Sequence, residues 1–306
     1  MRTADFFIIG AAKSGTTSLQ SYLKQHHQIA FSKNKEPNYY AYAGQQLPEN
    51  GPVSSSKLFK LRYSNCVTSS SAYEMQFSHV TNELAVGDAS VRYLYYPRAA
   101  KHIATDVPNA KLIAVLREPV SRLYSHYCMN KQFNLEPLEL RDAIDAEQQR
   151  IDKQWGWDWH YTNIGKYAQQ LKVYLKLFPA EQIKIVLYDD FVAQPASVMR
   201  DIYQFLDVDD TFVADTSKRG KVPYWPANHT LDRWLTGRSA VRLFLNRRSL
   251  RWAAHPVINL LNEWNHRPVP KLTNDDKNQL SRFFKESNQE LEELLGRALP
   301  WLQHKS

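Results

Sequence analysis

Hydrophobic positions along the chain fall into two alternating patterns. Short, largely apolar runs, at residues 6–9, 111–117 and 183–188, read as strands buried on both faces, as in a parallel sheet. Weaker runs at 28–32 and 84–88 predict two more strands. Between the runs, apolar residues recur at helical spacing: Leu19, Tyr22 and Leu23, then 97–106, then Leu123 and Tyr127 after Pro119. The same spacing predicts helices over 139–151 (largely solvent-facing), 164–178, 197–206 and 274–295. Strand followed by helix, repeated, predicts an α/β fold of three layers, a central parallel sheet flanked by helices. Residues 39–80, rich in Tyr and Ser with little periodicity, read as an acceptor-side or lid loop. We expect one domain over residues 1–306.

The first strand carries the most specific signal. It leads into Gly10-Ala-Ala-Lys13-Ser14-Gly15-Thr16-Thr17-Ser18, and a helix follows. A strand, a glycine turn and a helix N-terminus aim backbone N–H groups at a phosphate. The spacing is P-loop-like, but the nucleotide-triphosphate pattern G-x-x-x-x-G-K-[ST] requires Lys where this chain has Thr16. Its lysine is Lys13. A nucleotide kinase or NTPase on this scaffold is therefore one reading, and its Mg²⁺-binding acid is also missing, because the central apolar strand ends in Arg117. A second anchor is Arg117-Glu-Pro-Val-Ser-Arg122-Leu-Tyr-Ser125. A guanidinium and a hydroxyl joined by a strand–helix turn can hold one phosphate, and Arg122 lies one turn before Ser125.

Composition narrows the partners. A net charge of +8 points to anionic ligands, yet no nucleic-acid recognition motif is present. Cys66 and Cys128 have neither disulfide-framework nor metal-ligand spacing. With no signal peptide and no long apolar span, a cytoplasmic location is expected. The basic, Trp-bearing stretch 229–268 is a helical cap or a surface for peripheral membrane contact.

Taken together, these motifs resemble the PAPS-dependent sulfotransferases (PAPS, 3′-phosphoadenosine 5′-phosphosulfate), in the branch with heparan-sulfate and bacterial members. Residues 7–19 are similar to that family's 5′-phosphosulfate loop, and Lys35-Glu36-Pro37 to its acidic motif. Arg117 to Tyr127 is similar to its 3′-phosphate motif, and Ser217-Lys218-Arg219-Gly220-Lys221 to the basic loop that closes over the nucleotide. Residues 216–270 would hold that loop and a helical insertion, and residues 284–296 the C-terminal helix. The resemblance implies that Lys13, Ser14, Gly15, Thr16, Thr17, Ser18, Arg117, Ser125 and residues 218–221 bind the donor, with product PAP (3′-phosphoadenosine 5′-phosphate). It also implies that Lys13 steadies the leaving phosphate without metal, and that Glu36 is the base. The acceptor would be a glycan or another small hydroxyl compound.

Departures from the family pattern fall on the acceptor side. Asn38 stands where many relatives have His, and Ala89 where some have Lys. Asp88 is a second candidate carboxylate, and Lys35, Asn38, Asp88 and Ser90 are expected to contact substrate. His126, inside the Arg117 helix, reads as a packed residue. A non-catalytic protein that binds anionic glycans is the remaining alternative. The joint presence of Lys13 and Glu36 argues against it, because binding needs no base.

Overall fold

Five short strands run parallel in the order β2-β3-β1-β4-β5: β1 Phe6–Gly10, β2 Ile29–Phe31, β3 Ala85–Ala89, β4 Lys111–Leu116 and β5 Ile183–Leu187. This is a computed structural model, which describes residues 2–217, 224–228, 231, 258, 260–261 and 263–302. Alternation along the central strands divides the core in two. Phe7 and Ile9 of β1, with Leu112, Ala114 and Leu116 of β4, face one side. Phe6 and Ile8, with Ile113 and Val115, face the other.

Helices cover both faces. On the Phe6 side lie α1 (Thr16–Leu23) and, later in the chain, Tyr188–Ala193 and Pro195–Phe205, through Leu19, Phe191, Met199 and Ile202. The Phe7 side is covered through Ala99, Leu123, Leu171 and Leu291, from helices Pro97–Asp106, Pro119–Gln132, Tyr167–Leu175 and Lys285–Leu295. The expected three-layer α/β architecture is present. Gly87 marks the tightest point of the sheet. A Cβ there would come within 2.4 Å of the Phe6 ring, which packs edge-on against Phe31. Because the strands are parallel, the loops after β1, β2, β3 and β4 all leave one edge of the sheet, where open α/β folds bind ligands.

Three expectations are corrected. Residues 39–80 form short helical turns at Tyr39–Tyr42, Ser55–Leu58, Phe59–Tyr63, Ser70–Glu74 and Met75–Phe77. Tyr40, Tyr42, Tyr63, Tyr73 and Phe77 are buried there, so aromatic packing orders a segment whose weak periodicity predicted a loop. The helix over 139–151 is two, Leu140–Asp145 and Glu147–Asp152, with Glu147 and Arg150 turned inward. Glu147 accepts from the backbone of Thr162 and Asn163, and Arg150 pairs with buried Glu136 at 2.7 Å. The final helix is interrupted by a 3₁₀ turn, Arg282–Phe284, which leaves Phe283 half exposed. Sequence patterning also missed a small antiparallel ribbon pairing Tyr224–Pro226 with His266–Pro268. Lys218, Arg219, Gly220, Lys221 and most of 229–268 lie outside the described residues. Among the described residues, no helix is long and apolar enough to cross a membrane.

Candidate active site

The loop after β1 is built around two left-handed residues, Lys13 (φ 66°) and Gly15 (φ 84°). Gly15 precedes the first turn of α1, whose start has no side-chain cap and no acidic residue. Its first amide donors are thus left for a ligand, at the positive end of the helix. A side chain at Gly15 would also meet the Tyr188 ring at 3.0 Å. The Tyr188 ring carries the Arg117 guanidinium 4.8 Å above it, so one aromatic supports both motifs. Arg117 also donates from Nη1 to the Lys13 carbonyl at 3.1 Å. The two anchors read from sequence therefore meet.

The Lys13 ammonium rests 3.6 Å from the Met129 thioether, a weak acceptor. Burial, then the like charges of Arg62, Arg117 and Lys35, bring its pKa down to about 8. Converging cations around a glycine loop make a strong anion site. Lys35 spans the donor and acceptor motifs: its ammonium donates to the Thr17 hydroxyl and lies 3.7 Å from the Glu36 carboxylate. Glu36 is about one-third exposed, at the rim of the loop.

The other predicted residues divide. Thr17 is exposed, and Ser18 and Ser125 are half-buried, all three within reach of solvent. Ser14 and Thr16 are buried, with the Ser14 hydroxyl beside Tyr167, so these two can offer backbone amides rather than side chains. Arg122 does not join the phosphate motif. It is sealed in the core, where it donates to the Tyr161 carbonyl and approaches His126 Nδ1 at 3.3 Å. His126 is buried, its pKa held far down by burial and then by Arg122, as a packed neutral ring requires. Asn38, Asp88 and Ser90, expected to contact substrate, are also sealed from solvent. A chain of hydrogen bonds links them to the Glu36 carbonyl. Burial pushes the Asp88 carboxyl up to about 6 despite three hydroxyl donors.

Sequence reading missed Arg62 and Tyr188. Arg62 comes from the short helical turn Phe59–Tyr63, donates to Asn130 Oδ1 at 2.6 Å and pairs with buried Asp158 at 3.4 Å. No motif marks it. Tyr188 follows β5 at the ligand-binding edge, a position that could have flagged it. Among the described residues, no cluster of three or more His, Cys, Asp or Glu is placed to hold a metal ion.

Fold and site define an α/β protein built to grip an anion at the loop after β1. The chain belongs to the sulfotransferase family, whose family model matches residues 5–212. It is similar over 99% of its length to the crystal structure of a sulfotransferase from Alicyclobacillus acidocaldarius, at 29% identity and a TM-score of 0.76, covering all of that chain. It is 26% identical to the membrane-associated sulfotransferase kil1 of Dictyostelium discoideum over 76% of this chain and 62% of that protein. To the human bifunctional heparan sulfate N-deacetylase/N-sulfotransferase 3 it is 24% identical, over 99% of this chain but 31% of that protein. The chain thus spans less than two thirds of these curated relatives.

Proposed function

We propose that the protein moves a sulfuryl group from PAPS to a hydroxyl or amine of a carbohydrate acceptor. The observation that carries this is the convergence of Lys13, Arg117 and Lys35 on the glycine loop, with the Glu36 carboxylate at its rim. The amides of residues 14–18 with Thr17 and Ser18 would hold the 5′-phosphosulfate, and Arg117 with Ser125 the 3′-phosphate. Glu36 takes the acceptor proton as the acceptor–sulfur bond forms and the bond from sulfur to the bridging oxygen breaks. Lys13 meets the charge that develops on that oxygen, and PAP leaves. Such loose, in-line transfer depends on positioning and electrostatics. A carbohydrate acceptor is supported by the heparan sulfate relative and by a mouse protein named carbohydrate sulfotransferase 15, 26% identical over 66% of this chain. Calorimetry tests the donor: PAP should bind and ATP should not, whereas ATP binding without PAP binding would restore the NTPase reading.

Two further results are expected of the donor site. Arg117→Ala should weaken PAP binding by about 1.5–3 kcal/mol, the range for hydrogen bonds to charged groups. An unchanged affinity by calorimetry would remove Arg117 from the site. PAP binding should also depend on pH through Lys13. A bound phosphate favours the ammonium form, so its pKa rises from about 8 in the free protein. Affinity is then full below pH 8 and falls as pH rises, by about tenfold between pH 7 and 9 if the bound value is two units higher. The PAP phosphates are already ionised throughout this range. Lys13→Arg, charged at every pH tested, should flatten the profile.

A further inference from the structure

Behind Glu36 lies a hydrogen-bonded layer that the proposed chemistry does not use. Asp88, on β3 and fully buried, accepts from the Ser90 hydroxyl at 2.6 Å on one oxygen. Its other oxygen accepts from Tyr93 at 2.7 Å and Tyr73 at 3.1 Å. The Ser90 oxygen in turn accepts from the Asn38 amide at 3.0 Å, and the Tyr93 oxygen from the Tyr40 amide at 3.4 Å. The Asn38 side chain then donates to the Glu36 carbonyl at 2.7 Å.

The polarity of this chain is fixed by chemistry. An ionised carboxylate only accepts, so all three hydroxyls must point their hydrogens at Asp88, and those of Ser90 and Tyr93 turn lone pairs to the backbone amides of Asn38 and Tyr40. The segment so held is strained, because Glu36 (φ 57°) and Asn38 (φ 52°), on either side of Pro37, are both left-handed. Residues without glycine's freedom keep that conformation only where their surroundings impose it. Asn38 is buried and spends its side-chain amide on the Glu36 carbonyl and on Cys66.

We infer that Asp88 and Ser90 are positioning residues for Glu36, fixing the turn at residues 36–38 so that its carboxylate meets the acceptor. This rests on the reading of Glu36 as the base. The test compares Ser90→Ala, Ser90→Thr and Asp88→Asn with wild type, measuring kcat with labelled PAPS and PAP affinity by calorimetry. Ser90→Ala and Asp88→Asn should each lose at least about tenfold in kcat, with PAP affinity within about threefold, since the misplaced group acts on the chemical step. Ser90→Thr, which keeps the hydroxyl, should recover most of the rate.

The decisive arm is the double variant. If the layer acts through Glu36, Ser90→Ala should cost almost nothing further in a Glu36→Gln background. A full additional loss there would mean that Ser90 only supports the fold, and so would a parallel fall in PAP affinity. Wild-type kcat in Ser90→Ala, with Glu36→Gln inactive, would refute the positioning role and leave the base standing. Wild-type kcat in Glu36→Gln would overturn both.

Discussion

Glu36→Gln should lower turnover by about a hundred- to ten-thousandfold, the contribution typical of a positioned general base, while PAP affinity stays within about threefold. Geometry separates the two effects. Glu36 lies at the rim, beside Lys35, whose ammonium stands 3.7 Å from the carboxylate. Removing the carboxylate leaves Lys35 bonded to Thr17 and leaves one less negative charge near the donor phosphates. Donor binding should not suffer. Glutamine keeps the shape and the acceptor oxygen but cannot take a proton at neutral pH. Single-turnover rates with saturating PAPS measure the step itself, and a wild-type rate would disqualify Glu36 as base.

Lys13→Met should cost about a hundred- to a thousandfold in kcat, as loss of one preorganised group at a developing charge does elsewhere. PAP affinity should fall by much less, because Arg117 and Lys35 still contact the loop. The left-handed backbone at Lys13 sets its side chain beside Met129, a weak acceptor. Methionine fills the same space without charge. The check is the ratio of the two losses, from steady-state kinetics and calorimetry. Equal losses would make Lys13 a binding residue with no special hold on the transition state.

The glycine loop of the candidate site was legible because it is written locally. An apolar run, glycines at fixed spacing and a displaced lysine place β1, its loop and α1 without reference to the rest of the chain. Arg117 was legible for the same reason, as the end of an apolar strand. Burial of polar residues was not. Arg122 and Ser125 read as one motif, yet Arg122 points into the core to meet Tyr161, because charge alone does not reveal which helix face is inward. Residues 39–80 looked loose because their periodicity is weak. Here the tyrosine rings pack together and Tyr73 gives its hydroxyl to Asp88. Asp88 and Ser90 follow a glycine and alanine in β3 and look accessible in sequence, but the sheet edge is roofed by those same tyrosines. Arg62 arrives from a segment with no motif and could be found only in three dimensions.

One measurement bears on the central claim most directly: incubation of the purified protein with PAPS labelled on the sulfuryl group and a panel of glycan acceptors. The structure predicts that label moves to an acceptor hydroxyl or amine with one equivalent of PAP released, and that both signals vanish together in Glu36→Gln. Label that stays on PAPS with every acceptor, together with no PAPS binding by calorimetry, would contradict it.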